Sequence, residues 1–121
     1  MPYRISKKFI ISKFKSVNTT FTKSINEFSL EIFDNPKKYF FFENNQFFVL
    51  FCGYLYGKNK HCAVSLLRAF NKHNLKNLNG SFNGIIINKA KNELYIINYK
   101  YVFKPIYYYT DKDKLIVSSN T

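Results

Sequence analysis

The sequence predicts a sheet-rich α+β domain, mostly antiparallel, in which at least one helix covers the sheet. Three observations lead to this prediction. The chain has 121 residues, which is the usual size of a single domain. Hydrophobic residues make up 46% and aromatic residues 20% of the chain, too much apolar matter for a disordered basic tail. Short apolar runs separated by turns rich in Asn, Asp and Lys recur along most of its length.

The N-terminal third contains one clear strand pattern and one weaker helix pattern. Residues 28–33 alternate apolar and polar side chains and are followed by the turn sequence Asp-Asn-Pro at 34–36, which indicates a half-buried strand. Residues 20–28 favour a short helix, because Thr22 or Ser24 is a suitable capping residue.

The middle of the chain predicts a hairpin and then a helix. Residues 38–42 and 47–52 are apolar runs on either side of the polar residues 43–46, which is typical of a β-hairpin. Residues 62–73 form the one strong helix pattern. Their apolar positions have the spacing i, i+3, i+4 and i+7 of an amphipathic helix, and these are Ala63, Leu66, Leu67 and Phe70.

The last third predicts four more strands, at residues 82–88, 93–98, 104–109 and 115–119. Polar turns separate the first from the second and the third from the fourth. No repeat or low-complexity linker interrupts the chain, so we expect residues 1–121 to form one domain.

The charge is strongly positive, with 19 Lys and Arg against 7 Asp and Glu, a net +12. Seventeen of the 19 are lysines spread along the chain, whereas recognition of bases and phosphates favours Arg. We therefore expect weak, salt-sensitive binding of polyanions and interpret most of the charge as solvated surface. No apolar stretch reaches the roughly 20 residues of a membrane span, and the N-terminus lacks the features of a secretory signal, which predicts a cytoplasmic protein without a membrane partner.

The cysteines and histidines do not have the spacing of a metal site. Cys52, Cys62, His61 and His73 show neither a C-x-x-C nor an H-x(3–5)-H pattern, so we expect reduced thiols and no metal or other cofactor. The seven carboxylates fall mostly in turns or at strand edges, which disfavours a catalytic carboxylate pair.

Residues 47–120 resemble the class II glutamine amidotransferase domain of asparagine-synthetase-like proteins. In that family a helix leads to a Leu-Asn-Gly-x-Phe strand entry, a hairpin, a Lys-Pro-Leu-Tyr-Tyr turn and a final strand. The corresponding stretches here are 66–74, 78–87, 93–97, 103–108 and 115–120, and residues 47–56 are similar to the strand that ends in the family's Asn-Gly-Glu motif. The resemblance implies a partial layered sandwich like that of the N-terminal-nucleophile hydrolases. Residues 1–46 are matched poorly and would supply N-terminal strands.

The residues that the resemblance associates with glutamine hydrolysis are replaced in this chain. In the family, the initiator Met is removed and an N-terminal Cys attacks the amide, whereas the second residue here is Pro2. Cys52 stands in place of the Asn that donates to the oxyanion, Gly53 keeps the position of the second donor, and Tyr54 replaces the Glu that holds the substrate's amino group. Asn98 stands at the first position of the family's Arg-Asp turn.

A further carboxylate of the family pocket, expected near the start of the helix, falls on Cys62 or Ala63. We therefore expect no catalytic residues and no glutaminase activity. The resemblance implies a catalytically silent amidotransferase-like domain that is the N-terminal part or the partner of an asparagine-synthetase-like, ATP-dependent amide-forming enzyme with an ATP-pyrophosphatase domain.

The alternative is a basic, aromatic-rich module that binds single-stranded nucleic acid. Tyr and Lys alternate along the second half of the chain, and such residues form stacking platforms in basic grooves. The positions concerned are Tyr54, Tyr56, Lys58, Lys60, Tyr99, Lys100, Tyr101, Lys104, Tyr107, Tyr108 and Tyr109.

Overall fold

The computed structural model of the chain describes residues 3–7, 21–32, 37, 39–57, 61–98, 107–111 and 114–118. These residues form an α+β fold that is mostly antiparallel sheet with one α-helix, as the sequence predicts. The chain divides into two compact units, a continuous one, Lys37–Lys104, and a discontinuous one made of Met1–Pro36 and Pro105–Thr121. That residues 1–121 form one domain stays a prediction.

The described residues contain nine strands, one α-helix and one short 3-10 helix, Leu75–Asn77. The strands are β1 (Tyr3–Lys7), β2 (Phe21–Ile25), β3 (Phe28–Ile32), β4 (Tyr39–Glu43), β5 (Phe47–Leu55), β6 (Gly80–Asn88), β7 (Glu93–Asn98), β8 (Tyr107–Asp111) and β9 (Lys114–Ser118), and the helix is α1 (Cys62–Asn71). The predicted strands at 82–88 and 93–98 are confirmed to within two residues at each end, and those at 28–33 and 115–119 are confirmed up to residues 32 and 118, since residues 33 and 119 lie outside the described residues. Of the predicted strand at 104–109, residues 107–109 lie in β8, and residues 104–106 lie outside the described residues.

The discontinuous unit contains a five-stranded antiparallel sheet in the order β2-β3-β1-β9-β8. In β1, Ile5 pairs with Leu30 of β3 on one side and with Val117 of β9 on the other. Ile5 and Leu30 are fully buried, since alternate residues of each strand face the core. The sheet thus joins strands from both ends of the chain.

The short helix predicted at residues 20–28 is wrong. Within the described residues 21–28 of this segment, 21–25 form β2, Asn26 and Glu27 form a turn and Phe28 begins β3, with which β2 pairs along its whole length. The predicted caps, Thr22 and Ser24, are exposed strand residues. An isolated helix of this length is marginal in water, whereas pairing with β3 satisfies the backbone and buries Ile25.

The continuous unit contains a four-stranded antiparallel sheet in the order β4-β5-β6-β7. The predicted hairpin of residues 38–52 is confirmed as β4 and β5. Its turn is stabilised by Asn44, whose Oδ1 accepts the backbone N–H groups of Gln46 at 2.9 Å and Phe47 at 2.7 Å. The β6–β7 turn uses the same chemistry, because Asn88 Oδ1 accepts the N–H groups of Ala90 and Lys91.

The predicted helix at 62–73 is confirmed as α1, which ends two residues earlier, at Asn71. His73 adopts a positive φ of 54°, and two hydrogen bonds close the helix end in a Schellman motif. In these bonds Asn74 N–H donates to the Ala69 carbonyl and His73 N–H to the Phe70 carbonyl. None of the helices in the described part of the chain is long and apolar enough to cross a membrane.

Helix α1 packs on one face of this sheet through the side chains that the periodicity predicts. Leu66 is fully buried directly above Gly84 of β6, and Phe70 contacts Tyr95 of β7 with 4.8 Å between ring centroids. The buried cluster between the helix and the sheet consists of Phe47, Val49, Phe51, Leu55, Cys62, Ala63, Leu66, Leu67, Phe82 and Ile86. This cluster fixes the position of α1 relative to the C-terminal half of β5, where most of the candidate site residues lie.

Candidate functional site

The candidate residues from the sequence fall on two strands of the continuous unit. Cys52, Gly53 and Tyr54 form the C-terminal half of β5, and Asn98 is the last residue of β7. Pro2 lies outside the described residues. The structure therefore places four of the five positions in one sheet.

Cys52 and Asn98 belong to one row of side chains that crosses the whole sheet. Cys52 is paired with Tyr39 of β4 on one side and with Asn83 of β6 on the other, and Asn83 is in turn paired with Asn98. Directly opposed residues of antiparallel strands project to the same face, and this row lies on the face opposite α1. Since neighbouring strands are about 4.8 Å apart, Cys52 and Asn98 are separated by about 10 Å with Asn83 between them.

Asn83 is the member of this row that the sequence analysis missed. Its side chain is only 2% exposed, and it is one of three buried polar side chains among the described residues. Cys52 beside it is half-buried, and Asn98 is exposed. A signal for Asn83 existed in the sequence, because it is the polar residue inside the otherwise apolar run 82–87, on the face shared with Ile85 and Ile87.

Gly53 occupies a backbone conformation that other residues rarely adopt. Its φ is +120°, and a Cβ atom there would lie 2.2 Å from the Ser81 carbonyl oxygen and 2.7 Å from the Phe82 Cα. Both atoms belong to the backbone of β6, so a shift large enough to admit a Cβ would disrupt the pairing of β5 with β6. Glycine is therefore required at this position by the sheet itself, which is sufficient to explain its presence without any catalytic role.

Tyr54 and Tyr56 form an exposed aromatic pair at the end of β5. Tyr54 is 48% and Tyr56 69% exposed, and their rings meet edge to face with centroids 5.3 Å apart. The backbone holds Tyr56 in place through its N–H bond to the Asn79 carbonyl. A hydrogen bond with the Tyr56 side chain raises the pKa of Tyr54 above its ordinary value of 10.0. Tyr54 is therefore neutral at physiological pH and offers no charge to an ammonium group.

The start of α1 has no charged side chain either. Cys62 and Ala63, one of which the resemblance predicts to replace a family carboxylate, are 1% and 3% exposed and belong to the core cluster. Cys52 and Cys62 do not form a disulfide bond. Within residues 3–7, 21–32, 37, 39–57, 61–98, 107–111 and 114–118, no three His, Cys, Asp or Glu side chains cluster as metal ligands would.

The continuous unit thus combines an antiparallel sheet with a covering helix. Its candidate site consists of the uncharged row of Cys52, Asn83 and Asn98 and the two exposed tyrosines at the end of β5. The family model described as a glutamine amidotransferase domain matches residues 53–121, more than half of the chain. The chain belongs to this glutamine amidotransferase domain family. Comparison with curated proteins gave no match, and neither did comparison with solved structures.

Proposed function

We propose that this glutamine-amidotransferase-type domain does not hydrolyse glutamine. The observation that carries the proposal is the lack of carboxylates: no Asp or Glu occurs between Glu43 and Glu93, the segment that contains all of β5, α1 and β6. The ammonium group of glutamine needs a negatively charged partner, and the positions that supply one in the resembling family are Tyr54 and either Cys62 or Ala63 here.

Stabilisation of the oxyanion is weakened in the same region. A thiol at Cys52 does not replace an amide donor, and loss of one such donor reduces the rate by about 100- to 1000-fold. Asn83 carries an amide in the next strand, but its burial keeps it from a substrate that arrives from solvent. Pro2, for its part, has no nucleophilic side chain.

A domain of this family that does not hydrolyse glutamine needs a different role. We propose that it is the N-terminal part or the partner of an asparagine-synthetase-like enzyme, which activates a carboxylate with ATP and forms an amide. Family membership supports this role, since a glutamine amidotransferase domain works beside a domain that uses the nitrogen. In that arrangement the silent domain stabilises or positions the synthetase and delivers no ammonia.

The first test is glutamine hydrolysis by the purified chain. We expect no ammonia or glutamate above that of a heat-denatured sample, and the Pro2→Cys variant alone should also be inactive, because the replaced pocket positions act as a unit. Turnover above about 1 per minute, itself far below the roughly 10 per second of a typical enzyme, would contradict the proposal.

The second test concerns the partner. A downstream reading frame that encodes the Ser-Gly-Gly-x-Asp-Ser motif of an ATP-pyrophosphatase would supply the synthetase to co-express. Co-elution of the two proteins in gel filtration is the expected result. Separate elution at micromolar concentration would refute the partnership and leave the first proposal standing.

Binding of single-stranded nucleic acid is the second candidate function, and the exposed Tyr54–Tyr56 pair is the observation that favours it. Stacking on each ring is worth about 1–3 kcal/mol per base. Titration of labelled oligo(dT) at about 50 and then 200 mM salt separates the alternatives, because binding by charge alone collapses between these concentrations. Affinity that survives the higher salt and is lost in Tyr56→Ala would establish the stacking platform.

A further inference from the structure

The outward face of α1 contains a groove that the amidotransferase assignment does not explain. Two concavities of about 300 and 180 Å³ adjoin on this face and share Ser65 and Arg68. We call this the α1 groove. Its described lining residues are His61, Val64, Ser65, Arg68, Ala69, Lys72, Asn74 and Leu78.

The α1 groove is positively charged and has no acidic counterpart nearby in sequence. Arg68 and Lys72 lie one turn apart on the exposed side of the helix. The nearest acids in the chain, Glu43 and Glu93, are already engaged. Glu43 pairs with Lys89 at 2.8 Å, and Glu93 accepts a hydrogen bond from the Tyr95 hydroxyl at 2.7 Å. Among the described residues, neither cation of the groove therefore has a carboxylate partner.

The floor of the α1 groove is apolar. Val64, Ala69 and Leu78 line it, and Val64 and Leu78 are only partly buried. Apolar surface between two cations fits a ligand that carries both an apolar side chain and negative charges. Single-stranded nucleic acid fits less well, because it stacks successive bases on several aromatic rings, and the described lining residues include no Phe or Tyr and only one ring, the imidazole of His61.

We propose that the α1 groove binds an acidic segment of a partner polypeptide. The guanidinium of Arg68 takes one carboxylate in its two-pronged geometry, and the ammonium of Lys72 takes a second. An aliphatic side chain of the segment covers Val64 and Leu78. The complementary charges also steer the encounter and reject basic partners. This inference does not depend on whether the domain hydrolyses glutamine.

The test uses the full chain and three labelled probes in fluorescence anisotropy at low salt. The first is a short peptide of alternating Glu and Leu, the second has Gln in place of every Glu, and the third is oligo(dT). Arg68→Glu reverses the charge at the centre of the groove. Lys91→Glu is the matched control, since it makes the same charge change at an exposed turn between β6 and β7.

We expect the Glu–Leu peptide to bind and the Gln–Leu peptide not to bind. Arg68→Glu should weaken the Glu–Leu peptide at least about tenfold, whereas Lys91→Glu should change it by less than about twofold. Thermal melting of both variants must match that of the parent chain. Where Arg68→Glu melts early, Arg68→Gln replaces it, because it removes the charge without placing an acid near the helix C-terminus.

Three results would overturn the proposal. The first is equal loss of peptide affinity in Arg68→Glu and Lys91→Glu, which means that only net charge matters. The second is an affinity that does not change in Arg68→Glu. The third is tighter binding of oligo(dT) than of the peptide with dependence on Arg68, which would make the α1 groove a nucleic-acid surface.

Discussion

Gly84 of β6 lies directly beneath Leu66 of α1, and the addition of one methyl group there tests this packing. A Cβ atom at Gly84 would lie 2.6 Å from Leu66 Cδ2 and 3.3 Å from the Leu50 carbonyl oxygen. The second distance requires a shift of only a few tenths of an ångström. The first requires the buried Leu66 side chain to leave its position, because no void receives it in a close-packed core.

The expected cost of Gly84→Ala is the difference between two effects. Overpacking of a core costs about 1–3 kcal/mol, and replacement of a strand glycine by alanine recovers about 0.5–1 kcal/mol. The net loss is about 1–2 kcal/mol out of a total stability of roughly 5–15 kcal/mol. For a chain of this length, that corresponds to a melting temperature about 4–8 °C lower.

A double-mutant cycle makes the reasoning specific. Leu66→Ala alone should cost about 2–5 kcal/mol, because it leaves a cavity above Gly84. In the Leu66→Ala background the new methyl group keeps only the slightly tight contact with the Leu50 carbonyl oxygen and fills part of that cavity. Gly84→Ala should therefore stabilise this background by about 0.5–1 kcal/mol, so that its effect changes sign.

The measurement is urea denaturation of the four proteins, monitored by circular dichroism, with the slope of unfolding free energy against urea as a check for two-state behaviour. If the two substitutions are additive within about 0.5 kcal/mol, the side chain of Leu66 does not lie over Gly84 and the packing described here is refuted.

Two other predictions concern the end of β5. Gly53→Ala should lower the free energy of unfolding by more than about 3 kcal/mol, since it combines an unfavourable φ with a backbone clash. Gly57→Ala should lower it by only about 1–2 kcal/mol, because its added Cβ meets open space at φ +76°, and thermal melting of both variants measures the difference. Tyr56→Phe should lower the pKa of Tyr54 towards its ordinary value, because the substitution removes the hydroxyl that raises this pKa. The control Tyr95→Phe should leave the pKa of Tyr54 unchanged, and NMR of ¹³C-labelled tyrosine follows both variants.

A specific result would contradict each of these two predictions. Equal losses in the two glycine variants would show that contact with β6 is unimportant at Gly53. An unchanged pKa of Tyr54 in Tyr56→Phe would refute the hydrogen bond between the pair. The raised pKa also has a sign for stability: the folded chain holds this proton more tightly, so the contribution is complete below pH 10 and is lost as the pH rises through the folded pKa.

A helix or hairpin could be predicted where the spacing of its apolar residues alone indicates the structure. The helix at 62–73 was found because four apolar positions follow the helical period, and all four contact the core or its margin. The hairpin at 38–52 was found because apolar runs flank a polar turn, which Asn44 then closes. In both cases the signal lies within about a dozen residues.

The segment 20–28 shows where this reasoning fails. Thr22 and Ser24 are acceptable helix caps, and they are equally good exposed residues of a strand that alternates with Phe21, Lys23 and Ile25. The choice between the two is decided by pairing with the next strand, β3, across the turn at Asn26 and Glu27, and the pattern of residues 20–28 taken alone does not show that partner.

The candidate site was predictable only in part for the same reason. Cys52, Gly53 and Tyr54 are adjacent in sequence, so the sequence already shows that they lie together. That Asn83 and Asn98 join Cys52 in one row depends on the register of three strands, and a shift of one residue would send Asn83 to the other face. The α1 groove was missed altogether, since its residues are visible in the sequence but its concavity depends on tertiary packing.

The pairing of β1 with β9 has a consequence for the order of folding. Arg4 lies opposite Ser118, so the five-stranded sheet closes a loop that contains nearly the whole chain, whereas every strand pair of the continuous unit joins neighbours along the chain. Contacts so distant in sequence form slowly because of their loop-closure entropy. During synthesis the strands of Lys37–Lys104 emerge together with their pairing partners, whereas the edge of β1 that β9 covers stays unpaired until β9 has been made, and an unpaired edge is prone to aggregation.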